Sequence, residues 1–539
     1  MKTPSRQTSI VVIVLGALAL LIAVARLHTY HEPLERDITS AAVIAHEMLG
    51  GRALYADMWD HKPPAIHVTH ALAILLVGHG PGAIYLLNVG AAIATLLGVY
   101  VAACAVGGVA GGLWGAVFWT LVCGDVWLQA NQPNAEVFIN ACVVWAFALL
   151  VRAGGRPRLW RALAIGGLFA LASLYKPIAI APAALLGLAH VVAPWPGCSR
   201  RRALTDVLVM GGVGAVAWIG TVAYFAARGH FADFYQAVFA YNNFYSSHYW
   251  SDNNTVSSQT MVGNLFNSAL PDELSIKLLS LATTLAVFAG AGAVRGVLSG
   301  PRRPWLLLVG LGVGTHLAVA LPGQWRPHYY QLWLPLLAVG AGWTAATPAA
   351  RHSRRIIRWA TPAAATAVAV LLLAQQIPLY EVPPEAWSRL KYGEAFVMEQ
   401  RLGRELGVLL APGESFYEWG AETGLYFESR QSPPSGAFYV FPLVEGPAAA
   451  PLTSRVMADL DRRLPTMFVV NLSFQPRARH PLLDWAHAHY VPMPADGRDR
   501  GTYVLLVRRG SRFDIARPIT ARPRSPSLRD SESRIQSHM

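Results

Sequence analysis

Apolar runs close to the length of a bilayer crossing recur from residue 8 to about residue 375, and they restrict the chain to one broad architecture. In lipid every backbone amide needs an internal partner, so such runs fold as helices packed side by side. Composition agrees, since 54% of the 539 residues are hydrophobic and only 14% are charged. The expected fold is a mostly α-helical, polytopic membrane protein. The first run, residues 8–25, is long enough to span and lacks the small-residue cleavage pattern of a signal peptide, so it reads as a retained anchor. The formal charge of +13 lies in short loops between apolar runs rather than on one soluble face. That placement indicates topology and argues against nucleic-acid binding. Cys104, Cys123, Cys142 and Cys198 fall in or beside apolar runs without metal-site spacing. They read as buried thiols, not as a disulfide framework.

Four basic loops set the orientation: Arg152, Arg156, Arg158 and Arg161; Arg200 to Arg202; Arg302 and Arg303; and Arg351, Arg354, Arg355 and Arg358. With Lys2 and Arg6 they are expected on the cytoplasmic side. Four apolar runs (65–77, 82–106, 111–128 and 135–151) separate residue 64 from the first of these loops, and four crossings would put that loop outside. The sequence therefore predicts that 65–77, too short to cross and carrying His67 and His70, lies at the outer interface. Further spans fall near 160–175, 178–194, 205–226, 275–299, 304–321, 330–349 and 359–375, for about eleven crossings in all. Residues 36–64, 129–136, Lys176-Pro177, 228–272, 323–330 and everything after about 376 then share the outer side.

Residues 376–510 change character, with Pro, Gly and charge punctuating short β-like runs at 467–471 and 503–507. They predict a small extracytoplasmic α/β domain after a transmembrane domain of residues 1–375. Residues 511–539, rich in Arg, Ser and Pro, read as a disordered tail.

The outer segments hold the residues suited to chemistry. Asp37 opens an amphipathic helical pattern (Ile38, Ala41, Ala42, Ala45, Met48, Leu49) and has a plain reading as a dipole-stabilised carboxylate of the first turn. Its neighbours suggest more. Arg36 precedes it, and Asp60-His61-Lys62-Pro63-Pro64 follows, with two prolines stiffening the approach to the next helix. Lys62 either snorkels to headgroups or, with Arg36, captures a lipid phosphate as a point charge beside a fork of donors. Lys176, between two apolar runs, has the same two readings. Tyr329 and Tyr330, with Arg326 and His328, form either an aromatic belt or part of a site. The aromatic segment containing Tyr235, Phe239, Tyr241, Phe244, Tyr245, Tyr249 and Trp250 suits sugar stacking or headgroups equally.

The string Arg36-Asp37, the Gly51 to Tyr55 turn and Asp57-Met58-Trp59-Asp60-His61-Lys62-Pro63-Pro64 resemble the first external loop of bacterial family 39 glycosyltransferases. These are relatives of the protein O-mannosyltransferases and of the enzyme that adds aminoarabinose to lipid A. Asn131-Gln132-Pro133-Asn134-Ala135-Glu136, Leu174-Tyr175-Lys176-Pro177 and Arg326-Pro327-His328-Tyr329-Tyr330 follow in matching order, so the resemblance covers roughly residues 8–375. It implies a C-type membrane glycosyltransferase (GT-C) fold in a bacterial inner membrane, taking a sugar from a polyprenyl-phosphate donor and passing it to an acceptor hydroxyl on the outer face. By the same resemblance Asp37 aligns with the acidic residue proposed to deprotonate the acceptor. Ile38 stands where the eukaryotic mannosyltransferases have a second acid, which would leave Asp37 without an adjacent carboxylate.

On this reading Asp37 is the base, and Arg36, Lys62, Lys176, Arg326 and His328 stabilise the departing phosphate. Asp60, His61, Tyr329 and Tyr330 position substrate. Glu136 positions the acceptor or helps hold a divalent cation, or is a solvated loop residue; no metal requirement is legible. Two other readings remain. A transporter or flippase for lipid-linked glycans would place ionisable residues within the membrane and break repeated helices at midplane, whereas these charges gather at one face and no internal repeat is evident. A glycan ligase or polymerase shares the donor chemistry but would concentrate arginines in a large late loop, and 228–272 has few.

Overall fold

The computed structural model describes residues 6–152, 158–250, 256–258, 280–299, 302–346, 355–474, 479–494 and 496–514. Outside these lie Lys2, Arg156, Arg351 and Arg354 of the expected basic segments, most of 251–272, and the tail beyond residue 514.

Helices dominate. In order come α1 (Arg6–His28), α2 (Arg36–Leu49), α3 (Ala65–Val77), α4 (Pro81–Val122), α5 (Ala135–Val151), α6 (Leu159–Tyr175), α7 (Ile180–Val192) and α8 (Arg200–Ala227). Apolar helices Leu281–Ser299, Arg302–Ala320, Leu334–Ala346 and Arg355–Gln376 follow. Six helices among the described residues are long and apolar enough to cross a membrane. The 42 residues of α4 would reach about 63 Å as one rod, twice the hydrocarbon core. At Gly108 the backbone turns to φ 56°, ψ −155°, and the two arms fold together. Trp119 Nε1 of one arm donates to the Ala92 carbonyl of the other at 2.9 Å. The two expected runs, 82–106 and 111–128, are thus one hairpin closed by a glycine.

Helix α3 has the anticipated form. Its 13 residues reach about 20 Å, short of a hydrocarbon core of about 30 Å. Leu72, Leu75 and Leu76 are exposed, while His67 and His70 are buried on the opposite face. Two expected spans begin irregularly: short 3₁₀ turns at Pro177–Ala179 and Pro327–Trp333 precede α7 and Leu334–Ala346. Proline at the start of each turn explains this, since it fixes φ and supplies no amide hydrogen. In the 228–272 loop, short helices Phe231–Tyr235 and Asn242–Ser246 flank a π-helical turn. A two-stranded antiparallel pair, β1 (His248–Trp250) and β2 (Val256–Ser258), follows them.

After Arg355–Gln376 the chain builds a four-stranded mixed sheet from β3 (Phe416–Trp419), β4 (Met467–Asn471), β5 (Tyr490–Pro492) and β6 (Tyr503–Arg508), in the order β3-β4-β6-β5. Only β3 and β4 pair in parallel. The two sequence-legible runs are β4 and β6. Every residue of β3 is buried, as befits a strand covered on both faces.

The hydrophobic core falls into two principal clusters. One is formed by the membrane helices. The other joins the sheet unit to Ile38, Ala42, Val43 and Ile44 of α2 and to Leu54, Tyr55, Met58 and Trp59 of the following loop. Residues 36–64 and the C-terminal unit therefore share one interior. They meet tightly at Gly436, where an added Cβ would lie 1.7 Å from the Asp57 carbonyl oxygen. Gly436→Ala is expected to destabilise the protein by about 1–3 kcal/mol through forced separation of these backbones. A thermal midpoint equal to that of the parent chain would refute so close a seat.

Candidate active site

Helix α2 begins at Arg36, with Glu35 as its N-cap: Glu35 Oε2 accepts the Asp37 amide hydrogen at 3.0 Å. This places Asp37 in the first turn. The chain leaves α2 at Gly50 and Gly51, the latter at φ 97°, and turns through Tyr55, whose φ of 67° is unusual for a residue with a bulky side chain. Two bonds hold that turn. The Tyr55 amide donates to the Met58 carbonyl at 2.7 Å, and its hydroxyl donates to the Lys62 carbonyl at 2.8 Å. The loop thereby carries Lys62 back beneath α2.

Lys62 Nζ lies 3.1 Å from Asp37 Oδ1 and 3.8 Å from Asp60 Oδ2. Lys62 and Asp60 are buried, whereas the Asp37 side chain keeps 31% of its exposure. Asp60 is the hub of the loop. Its Oδ2 faces His67 Nε2 at 3.2 Å, and its Oδ1 lies 3.2 Å from His61 Nδ1 and accepts the His61 amide at 2.7 Å. Tyr439, from the C-terminal unit, also donates to Oδ1 at 3.2 Å. Burial opposes the charged form of each of these groups. The two carboxylates and the ammonium between them outweigh it, holding Asp37 and Asp60 well below the usual carboxylate range and Lys62 above the usual lysine range.

A second group adjoins the first. Lys176 Nζ meets Glu136 Oε1 at 2.6 Å and sits 4.5 Å from the Tyr329 ring centroid. The Lys176 ammonium also helps hold Asp37 low, so both lysines act on one carboxylate. Glu136 is fully buried, not a solvated loop residue, and its carboxylate is paired with Lys176. Among the described residues no group of three or more His, Cys, Asp or Glu side chains is arranged to hold a metal ion.

His328 Nδ1 lies 3.1 Å from Gln129 Oε1. Burial pushes its pKa down to about 4, against the pull of Glu136. The ring is therefore neutral near pH 7. Burial thus disfavours the charged ring and leaves the imidazole as a hydrogen-bonding group near Glu136, Lys176 and Asp37. Arg326 belongs to the same neighbourhood, its charge acting on His328. The Tyr329 side chain is buried beside Tyr245, and Tyr330 packs against the membrane core.

Arg36 is not brought to the Lys62 group. Its guanidinium lies over Phe396 and Phe441, 5.8 and 5.4 Å from the ring centroids, between residues of the C-terminal unit. Successive helical side chains diverge by about 100°, so Arg36 and Asp37 leave α2 on different faces.

Asp37 does have a carboxylate neighbour, but on its N-terminal side. Glu35 is buried, and its pKa is pushed up to about 8 by burial and by the Asp37 charge, partly offset by Arg36 and Lys62. Such a raised group contributes stability below about pH 4.5, which is lost as the pH climbs through about 8. Glu35→Gln is expected to abolish that loss, so the variant should gain in melting temperature over the parent between pH 6 and pH 9. Parallel melting curves across that window would show that Glu35 does not carry the effect.

The motif beginning at Asn131 supports this loop from below. Gln132 Oε1 accepts the Glu35 amide at 3.2 Å, and its Nε2 donates to the Pro33 carbonyl at 3.2 Å. Asn131 Nδ2 donates to Glu32 Oε2 at 2.6 Å. Glu32 is also paired at 2.5 Å with Lys391, which donates to Asn131 Oδ1 at 2.9 Å. The aromatic segment closes another side. Asn242 Nδ2 donates to the His61 carbonyl at 2.7 Å, and the Tyr241 and Tyr245 rings lie 5.7 and 5.5 Å from His61.

Sequence reading missed Glu35, His67, Gln129 and Tyr439. A backbone signal marks the region. Tyr55, Gln129 and Trp325 are three of the four non-glycine residues with positive φ among those described, and each sits in a loop beside the charged groups. Backbone strain of this kind gathers at functional sites.

No family model matches the sequence, and no curated protein does. Solved structures do match. ArnT from Cupriavidus metallidurans bound to undecaprenyl phosphate aligns with a TM-score of 0.56 at 14% identity, over 93% of this chain and 98% of that one. Its apo state gives 0.55 at 16%, over 91% and 97%. The archaeal oligosaccharyltransferase AglB from Archaeoglobus fulgidus, in complex with an inhibitory peptide and a dolichol-phosphate, gives 0.52 at 12%, over 95% and 75%. At such identities the likeness establishes the fold, and over nearly its whole length this chain has the GT-C fold of membrane glycosyltransferases.

Proposed function

We propose that this protein is an integral-membrane glycosyltransferase that moves a sugar from a polyprenyl-phosphate donor to an acceptor hydroxyl. The observation that carries the reading is the Asp37–Lys62 contact, a partly exposed carboxylate paired with a buried lysine at the mouth of a GT-C fold. In the proposed reaction the acceptor oxygen attacks the anomeric carbon and Asp37 takes the hydroxyl proton. The bond from that carbon to the phosphate oxygen breaks, and its electron pair leaves with the lipid phosphate. Lys62 and Lys176, with Arg326 nearby, are the cations suited to the charge that develops there.

The pairing supplies an order of events. While Lys62 holds Asp37, the carboxylate is a weak base. An arriving phosphate competes for the same ammonium, loosens the pair and raises the proton affinity of Asp37 in the presence of donor. His328 serves as a neutral hydrogen-bonding group. Asp60 and His61 shape the lysine's surroundings, and Glu136 holds Lys176. We place the first outer loop and the C-terminal unit on the extracytoplasmic side of a bacterial inner membrane, as the basic loops predict. Purified protein in lipid vesicles, offered a panel of polyprenyl-phosphate-linked sugars together with a bacterial envelope extract as the source of acceptor hydroxyls, should release free polyprenyl phosphate with at least one of them. Release with none, despite intact folding, would reject the assignment.

A further inference from the structure

Asp60 is 1% exposed, and each of its oxygens has work within the fold. Oδ2 lies between His67 and the Lys62 ammonium, and Oδ1 meets His61 and the Tyr439 hydroxyl. Three of those partners belong to the same loop or to α3. Tyr439 alone comes from the C-terminal unit, across a sequence separation of 379 residues.

Tyr439 is held firmly where it stands. Its neighbour Val440 donates its amide to the Gly420 carbonyl at 2.7 Å, just past β3. Three residues earlier, Gly436 accepts the Trp59 amide at 3.1 Å. The Tyr439 ring packs edge-on against Phe438 at 5.7 Å and lies 6.0 Å from Trp59. Arg52 Nη1 extends the seam by donating to the Pro433 carbonyl at 2.9 Å. At the other end of the loop, Thr423 donates to the Arg36 carbonyl at 2.9 Å, and its oxygen lies 2.7 Å from the Thr39 hydroxyl. The C-terminal unit thus grips both α2 and the loop that follows it, and Tyr439 carries that grip to a charged side chain.

We propose that Tyr439 is a positioning residue of this site: its hydroxyl fixes the Asp60 carboxylate, which in turn aims the Lys62 ammonium into the space beside Asp37. The Lys62–Asp60 distance of 3.8 Å is longer than a hydrogen bond, whereas Lys62–Asp37 at 3.1 Å is not. Lys62 is therefore steered by Asp60 without being captured by it. A carboxylate free to turn about its last torsion would close on the ammonium and draw it from Asp37. The Tyr439 hydroxyl on Oδ1 opposes that turn. The inference rests on the reading of Lys62 as a phosphate-facing residue and assigns the C-terminal unit a part in the site.

The test uses the full chain in lipid nanodiscs, with undecaprenyl phosphate as the probe and affinity as the readout. Tyr439→Phe keeps the ring and its packing and removes one hydrogen bond to a charged group, so binding should weaken about tenfold. Tyr490→Phe is the control. Its hydroxyl is buried in the same unit but donates to the Pro465 carbonyl at 2.9 Å, away from Asp60 and from the segment that carries Tyr439, and its loss should leave binding unchanged. Asp60→Asn should weaken binding, and adding Tyr439→Phe to it should weaken it no further. Parent-like binding by Tyr439→Phe, or full additivity with Asp60→Asn, overturns the inference alone. If the parent chain does not bind undecaprenyl phosphate, the phosphate-facing reading of Lys62 fails and takes this inference with it.

Discussion

Asp37→Asn is expected to slow sugar transfer by roughly a hundredfold to ten-thousandfold, the range associated with losing a general base. The amide has the shape of the carboxylate but cannot accept the acceptor's proton at neutral pH. Lys62 retains Asp60 as a counter-charge at 3.8 Å, so the variant keeps its ammonium charged and its loop in place. Donor binding should therefore persist and even tighten, because Lys62 is no longer shared with Asp37. The decisive comparison is transfer rate against affinity for undecaprenyl phosphate in the same vesicle preparation. Full transfer would remove Asp37 as base. Loss of both quantities together would point instead to a damaged fold.

Lys391→Met is expected to give the largest loss of stability, about 3–5 kcal/mol, by leaving Glu32 as an unpaired buried charge. Both partners are almost wholly excluded from solvent. Burial pushes the Glu32 carboxyl up and the Lys391 ammonium down, even though each partner pulls the other the opposite way. Desolvation thus cancels much of the attraction between them. The pair contributes little over an uncharged replacement, yet it is dangerous to halve. Adding Glu32→Gln to Lys391→Met should recover much of the lost stability, since an amide can still accept from Asn131. Thermal unfolding of the two variants in detergent checks this, and a double variant no more stable than Lys391→Met would contradict it.

Much of the architecture was legible because the membrane imposes a simple rule on the sequence. A short apolar run with two histidines could not cross, and α3 is the helix that results. The strands β4 and β6 were visible as apolar β-like runs, but β3 and β5 were not. β3 holds only four residues and includes the buried Glu418, and β5 holds three and ends in proline. Short strands of that composition carry no periodic signal.

At the site, the sequence brought Asp37, Asp60, His61 and Lys62 together because they lie on one loop. It could not foresee that Lys62 would turn back to α2, since that depends on Tyr55 adopting a positive φ. Arg36 followed Asp37 in the reasoning only through adjacency, and helical geometry separates them. Glu35 was overlooked for a related reason. A second acid is expected at position 38, which is Ile38, whereas the N-cap carboxylate lies on the other side of Asp37. His67 reads only as part of the short 65–77 run, and Tyr439 has no local feature to distinguish it from any other core tyrosine.

The shared interior between residues 36–64 and the C-terminal unit bears on how the protein is made. Ribosomes deliver residues 36–64 early and residues 416–508 much later, so the loop must wait for its packing partner through most of translation. Until the last strands emerge, Tyr55, Met58 and Trp59 have no apolar surface from the sheet to bury against. A nascent chain halted before Gly436 would contain every described apolar helix and each charged residue of the Asp37–Lys62 group, yet lack the seam that holds them in register. The seam can thus close only after the C-terminal strands have been made, so a chain halted earlier is expected to hold these side chains without the packing that orders them.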